Sequence, residues 1–155
     1  MAIADMFLKI QGVTGESQDA DHKGEIEVVS WSWGMQAPTA MSGAATGKTS
    51  ISELRVVKRV DQSSPTLMSY VQTHKQVAKA ALTVRKAGTT PLEYFRIELE
   101  KVRVNGLNVG SETAELTENL TLGFEKIRVT YTPQGTTGGA GGGANVFEAN
   151  AYDGV

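Results

Sequence analysis

Cysteine is absent from all 155 residues. That removes the disulfide framework of a small secreted domain, the thiolate nucleophile and every cysteine-based zinc site. Histidine is almost as scarce, with two residues, His22 and His74. A nucleophile–base pair would need a serine or threonine beside one of them, and no serine sits in a Gly-x-Ser-x-Gly elbow. No charge dominates either: 15 basic residues stand against 17 acidic ones, a net −2. Such a chain sets up no field to gather nucleic acid or anionic lipid. No run approaches the ~20 apolar residues that cross a bilayer, and the N-terminus, Met-Ala-Ile-Ala-Asp-Met-Phe, lacks the basic start and long apolar stretch of a secretory signal. The expectation is a soluble protein made in the cytoplasm without a signal peptide, with no nucleic-acid partner and no membrane insertion. It would leave the cell only by a route that reads the folded chain.

What remains is an ordinary globular composition, 40% hydrophobic and 21% charged, long enough for one domain over 1–155 with a proper core. Period-two alternation dominates it. Met6, Leu8 and Ile10 form a first strand. Ile26 and Val28 then lie on one face and Val29, Trp31, Trp33 and Met35 on the other, a phase switch that means a bulge or a strand covered on both sides. Leu54, Val56 and Val60 give a third strand, and Ala80, Leu82 and Val84 a fourth. Phe95, Ile97 and Leu99 are followed out of phase by Val102 and Val104 across Glu100 and Lys101. Leu120, Leu122 and Phe124 give way in the same manner to Ile127, Val129 and Tyr131. Phase shifts of this kind are what bulges produce, and bulges curl a sheet into a barrel. A Gly-rich spacer at 135–143 precedes a last short strand.

One stretch reads as helix. Ser64 before Pro65 supplies a capping hydroxyl ahead of a residue suited to the first turn, and Leu67, Met68, Val71 and His74 or Lys75 recur at helical steps. Too short to stand alone, it must lie on the sheet. The fold class is therefore mainly β: an antiparallel β-barrel with one short flanking α-helix over about residues 64–76.

Motifs with chemistry are weak. Gly43 to Thr49 resembles a phosphate loop, but three residues rather than four separate its glycines, and a strand pattern rather than a helix follows. Residues 38–49 read instead as a long loop of small residues, a length usually tied to function. Asp19, Asp21 and His22 lack the glycine turn and distal glutamate of a calcium loop and read as a solvated turn. Glu98 and Glu100 interleave with Arg96 and Lys101 as solvated strand positions, as do Glu112 and Glu115. The residues indicate no enzyme, no cofactor, no metal site and no catalytic residue. Trp31 and Trp33 share one strand face and Ser30 and Ser32 the other. Burying a tryptophan removes on the order of 200 Å² from water, so the tryptophan face looks inward or into a subunit contact and the serine face outward. An exposed tryptophan pair would instead suit a stand-alone carbohydrate-binding barrel, the alternative reading.

Gly15-Glu16-Ser17, His22, Glu25-Ile26-Glu27-Val28 and Ser30-Trp31-Ser32-Trp33-Gly34 resemble the N-terminal signature of the haemolysin-coregulated (Hcp) proteins, tube subunits of type VI secretion systems. Lys58-Arg59-Val60-Asp61-Gln62-Ser63-Ser64-Pro65-Thr66-Leu67 resembles the family's entry into its helix. Leu82 to Gly88 and Leu116 to Leu122 resemble later segments, so the likeness runs the length of the chain. After the spacer, Val146 to Asn150 departs from the family's usual step, which bears on where the last strand goes. The resemblance implies hexameric rings stacking into a tube, a secretion sheath and spike-tip proteins as partners, small effector proteins carried in the lumen, and export by type VI secretion. It makes Ser30 and Ser32 candidates to line the lumen. It makes the loop residues Met41, Ser42, Gly43, Ala44, Ala45, Thr46, Gly47 and Lys48 candidates to contact a neighbouring subunit or the next ring. It leaves no room before Val155 for the toxin extension that some members carry.

Overall fold

The structure, a computed structural model, describes residues 4–38, 49–86, 92–111, 114–134 and 142–151. Along them run β1 (Ala4–Ile10), β2 (Ile26–Ser32), β3 (Met35–Gln36), β4 (Ser50–Ile51), β5 (Leu54–Arg59), α1 (Ser63–Thr73), β6 (Gln76–Lys86), β7 (Glu93–Gly110), β8 (Thr117–Gly123), β9 (Lys126–Tyr131) and β10 (Asn145–Asn150). The main sheet has the order β10-β9-β7-β6-β1-β2-β5-β8, and β8 returns to β7. That extra pairing closes six antiparallel strands into a barrel and leaves β9 and β10 outside it as a two-stranded wing.

The long strand β7 makes this possible by changing partners. Phe95 to Glu100 pair with β9, whereas Arg103 to Gly110 pair with β8. The exchange falls at Lys101, which takes a left-handed φ of 53°, and on either side of it Leu99 and Val102 both point inward. On β6, Ala80 and Val77 change phase with them, so the pairs Leu99↔Ala80 and Val102↔Val77 keep one register. The phase shift at Glu100 and Lys101, read from sequence as a bulge, is thus a corner between two partners. The shift at Glu125 and Lys126 is the matching corner: β8 ends, β9 begins, and the Glu125 amide donates to the Glu100 carbonyl at 3.0 Å. A true bulge does lie where the β2 pattern switches, between Val28 and Ser30 against β5.

Leu8, Ile10, Ile26, Leu54, Val56, Leu82, Ile97, Leu99, Leu120 and Leu122 fill the barrel. Each is worth about 1.5–3 kcal/mol relative to exposure, which is why closure is favoured over an open sheet. Helix α1 packs against β7 and buries Leu67, with Tyr70 and Val71 half-buried on the core. Met68, assigned to the stripe from its spacing, is 43% exposed; only one side of α1 meets the barrel. The helix also differs at both ends from the expected 64–76. It stops at Thr73, where His74 turns left-handed (φ 56°) and its amide and that of Lys75 return to the Val71 and Tyr70 carbonyls. A histidine in the place usually taken by glycine gives no stop signal in sequence. At the start, Ser63 is already helical and the Asp61 carboxylate, not a serine hydroxyl, accepts the Ser63 amide at 2.9 Å.

The expected capping serine has another partner. Lys58 on β5 and Glu118 on β8 are cross-strand neighbours, both 0% exposed, and their side chains form a direct ion pair. The Ser64 hydroxyl donates to Glu118 Oε1 at 2.8 Å and lies 3.2 Å from Lys58 Nζ, while Asp61 Oδ1 lies 3.1 Å from the same ammonium. The start of α1 is therefore bolted to the barrel interior through charge, in a place where an unpaired charge would be strongly destabilising.

Candidate functional site: the two outer walls

One wall consists of β2, β5, β8 and the second half of β7. Trp31 stacks on Phe95, centroids 5.5 Å apart, and Trp33 Nε1 donates to the Ser52 carbonyl at 2.9 Å; both rings are half-buried against the core. Ser30 and Ser32 are exposed on the opposite side. Across the ladders Ser30 opposes Val57, which opposes Asn119, which opposes Asn108. Ser32 opposes Arg55, then Thr121, then Gly106. These two ladders are thus paved with hydroxyls, amides and one glycine, interrupted by Arg55 and Val57, and the next ladder on the same face places exposed Arg59 opposite Thr117 and then Gly110. Val29 and Met35, grouped with the tryptophans by spacing, are exposed instead: the bulge turns Val29 out, and Met35 lies beyond the barrel on β3. With both rings committed to inward contacts, the pair is no open stacking platform for a sugar.

The other wall consists of β1, β6, the first half of β7, β9 and β10. Its outward ladders read Lys9, Ala81, Glu98, Arg128, Glu148 and, one step along, Lys79, Glu100, Lys126. These side chains and the segment Gln11 to Thr14 line a groove of about 680 Å³. On the reverse of the wing runs the apolar row Leu8, Leu82, Ile97, Val129, Phe147. Past β7 no opposing wall among the described residues covers that row, and Tyr131 and Phe147 stand 45% and 41% exposed.

The signature residues near the N-terminus hold the fold rather than form a reactive cleft. The Glu16 carboxylate accepts the Gln62 amide at 2.6 Å, and Gln62 Nε2 donates to the Gly15 carbonyl at 2.8 Å. Both clasp the connection after β1 to the start of α1. Gly15 is required because a Cβ there would stand 2.5 Å from the Glu25 carbonyl oxygen. His22 stacks on Phe7 at 4.4 Å, with Nδ1 3.0 Å from Glu25 and Nε2 3.1 Å from Glu93. Arg85 donates to Asp19 and Asp5 and lies over the Phe7 ring. The Arg85 hydrogen bond holds the Asp19 carboxyl down at about 2, and Asp19 in turn raises Arg85. So Asp19, Asp21 and His22 are not the solvated turn expected: His22 is buried and Asp19 is tied down, with Asp21 left at the surface. No spacing rule announces this cluster, because Arg85 and Glu93 join it from β6 and β7.

The candidate loop residues Met41 to Lys48 lie outside the described residues. Its flanks are pinned by the short β3–β4 ladder, Met35↔Ile51 and Gln36↔Ser50. Among the described residues no group of three or more His, Asp or Glu could hold a metal ion, and no helix is long and apolar enough to cross a membrane.

A closed six-strand antiparallel barrel with one helix across it, whose N-terminal loop residues brace the fold, defines a β-barrel protein. Comparison with known proteins makes this particular. Residues 7–131 match the family described as "Type VI secretion system effector, Hcp", and the chain belongs to that family. It is 41% identical over 145 residues to the protein hcp1 of Pseudomonas aeruginosa strain PAO1, covering 90% of each. The crystal structure of Hcp1 from Salmonella typhimurium superposes with a TM-score of 0.80 at 28% identity, covering 99% of both chains. A type VI secretion system effector from Yersinia pestis gives 0.78 at 29%, covering 94% of this chain and 99% of that one.

Proposed function

We propose that this chain assembles as hexameric rings that stack into the tube of a type VI secretion system and carry small effector proteins in the lumen. The observation that carries the reading is the wing. β9 and β10 extend an apolar sheet surface past the barrel, and a second copy of the same chain would cover Val129, Tyr131 and Phe147. A heterologous contact of that kind, repeated with a closing rotation, makes a ring. The paved wall with Ser30 and Ser32 then faces the lumen, where short hydroxyls leave room for cargo and offer hydrogen bonds without a fixed charge. The segment 41–48, leaving from a clamped hairpin, reaches a neighbouring subunit or the next ring. A sheath and spike-tip proteins act on the assembled tube, which leaves the cytoplasm through that machine, and the role is structural rather than catalytic.

The test is light scattering after size exclusion, with negative-stain images, on the parent chain and Phe147→Asp. The parent should run as a ring. The variant should run smaller while its thermal melt stays within a few degrees of the parent, because Phe147 contributes little to a lone protomer. A parent that stays monomeric at micromolar concentration would sink the reading.

A further inference from the structure

The charged wall carries an imbalance that the barrel itself does not use. Five cations line its groove (Lys9, Lys79, Arg96, Lys126 and Arg128) against three carboxylates, Glu98, Glu100 and Glu148. All three carboxylates are already engaged: Glu98 with Arg96 at 3.4 Å, and Glu100 and Glu148 with Lys126 at 3.9 and 3.2 Å. Lys9, Lys79 and Arg128 have no ion-pair or hydrogen-bond partner for their side chains among the described residues. Three cations without partners around a concave surface make a site for anionic groups.

Geometry limits the occupant. Lys9 on β1 and Arg128 on β9 are separated by β6 and β7, three strand spacings or about 14 Å. An extended peptide rises about 3.4 Å per residue, so carboxylates about four residues apart span the same distance. The three resident carboxylates would repel the continuous phosphate chain of a nucleic acid, whereas a peptide can set its acidic side chains beside Lys9 and Arg128 and keep neutral ones over Glu98. We propose that this groove docks an extended acidic segment of a partner protein, running across the strands with its carboxylates on Lys9, Lys79 and Arg128. The site lies on the wall opposite Ser30 and Ser32, so it does not depend on the lumen assignment.

The test is fluorescence anisotropy with a short fluorescein-labelled Gly/Ser peptide carrying two glutamates about four residues apart. Binding should be saturable and weaken as salt rises past the point where exposed charges are screened. The glutamine version of the peptide, or the Lys9→Gln/Arg128→Gln protein, should bind about tenfold more weakly, the sum of two surface ion pairs. Glu98→Gln, which frees Arg96, should bind more tightly, and Ser32→Gln should bind as the parent does. Equal affinity for the glutamate and glutamine peptides, or for parent and double variant, would overturn the proposal. So would a single-stranded oligonucleotide that displaces the peptide at equal concentration. A ring that forms but binds no peptide removes the groove and leaves the tube reading standing; a monomer that binds it does the reverse.

Discussion

The two outer walls of this barrel invert each other. The wall of β2, β5 and β8 is mostly hydroxyl and amide outside, with Glu27, Arg55 and Arg59 as its exposed charges, yet carries the buried Lys58–Glu118 pair inside. The wall of β1, β6, β7 and β9 is a lattice of alternating charge outside and apolar throughout inside, with Leu8, Leu82, Ile97 and Ile127 fully buried. The difference teaches where charge can be tolerated. On the exposed lattice each ion pair is screened and contributes little, so the pattern there is free to serve recognition. Inside, a charge persists only because Asp61, Ser64 and Glu118 together satisfy Lys58, and the pair becomes a structural bolt for α1.

That contrast breaks most readily from the inside. Lys58→Met should cost about 3–5 kcal/mol in denaturant unfolding, because it strands the Glu118 carboxylate. Lys58→Met combined with Glu118→Leu should recover most of the loss; if the double variant is no better than the single one, the pair is not what makes the site costly. Next comes the asymmetry of the wall that carries Ser30 and Ser32. Trp31→Ala should cost about 2–4 kcal/mol, since the ring is half-buried on Phe95, while Ser32→Gln on the outer face stays within about 0.5. Comparable thermal losses from both would mean the two faces are not distinct. Gly15→Ala tests the clasp that ties the loop after β1 to α1. The added carbon meets backbone rather than a flexible side chain, and a loss of about 1–3 kcal/mol is expected, read as an earlier melt.

The smallest effect sharpens the charged side. Asp19 is held by Arg85 at about 2 against an ordinary 3.8. Ionisation is favoured in the folded chain, so this contribution is complete above pH 3.8 and is lost as pH falls toward about 2. The chain with Asp19→Asn should be less stable than the parent near neutrality, and the gap should close across that window. A gap independent of pH would mean that Arg85 does not favour the ionised form.

Much of this was settled by composition and period. Lack of cysteine and near-lack of histidine narrowed the chemistry, and alternation placed the longer strands, including the switch in β2, but not the short pair β3 and β4. The grouping of Ser30 with Ser32 against Trp31 with Trp33 needs only the fact that successive strand side chains point to opposite faces. Other features depend on contacts between residues far apart in the chain. Whether a phase shift is a bulge or a corner depends on which strand lies alongside, and β7 has one neighbour before Lys101 and another after it. Where α1 stops depends on a left-handed histidine, and how it starts depends on Asp61, Glu16 and Glu118, held in place by three different segments. The charged groove is a stronger case still: its lining comes from five strands, β1, β6, β7, β9 and β10, and each contributes charges that look like ordinary solvated positions. A local pattern records which way a side chain points along its own strand; only closure of the barrel decides what it then faces.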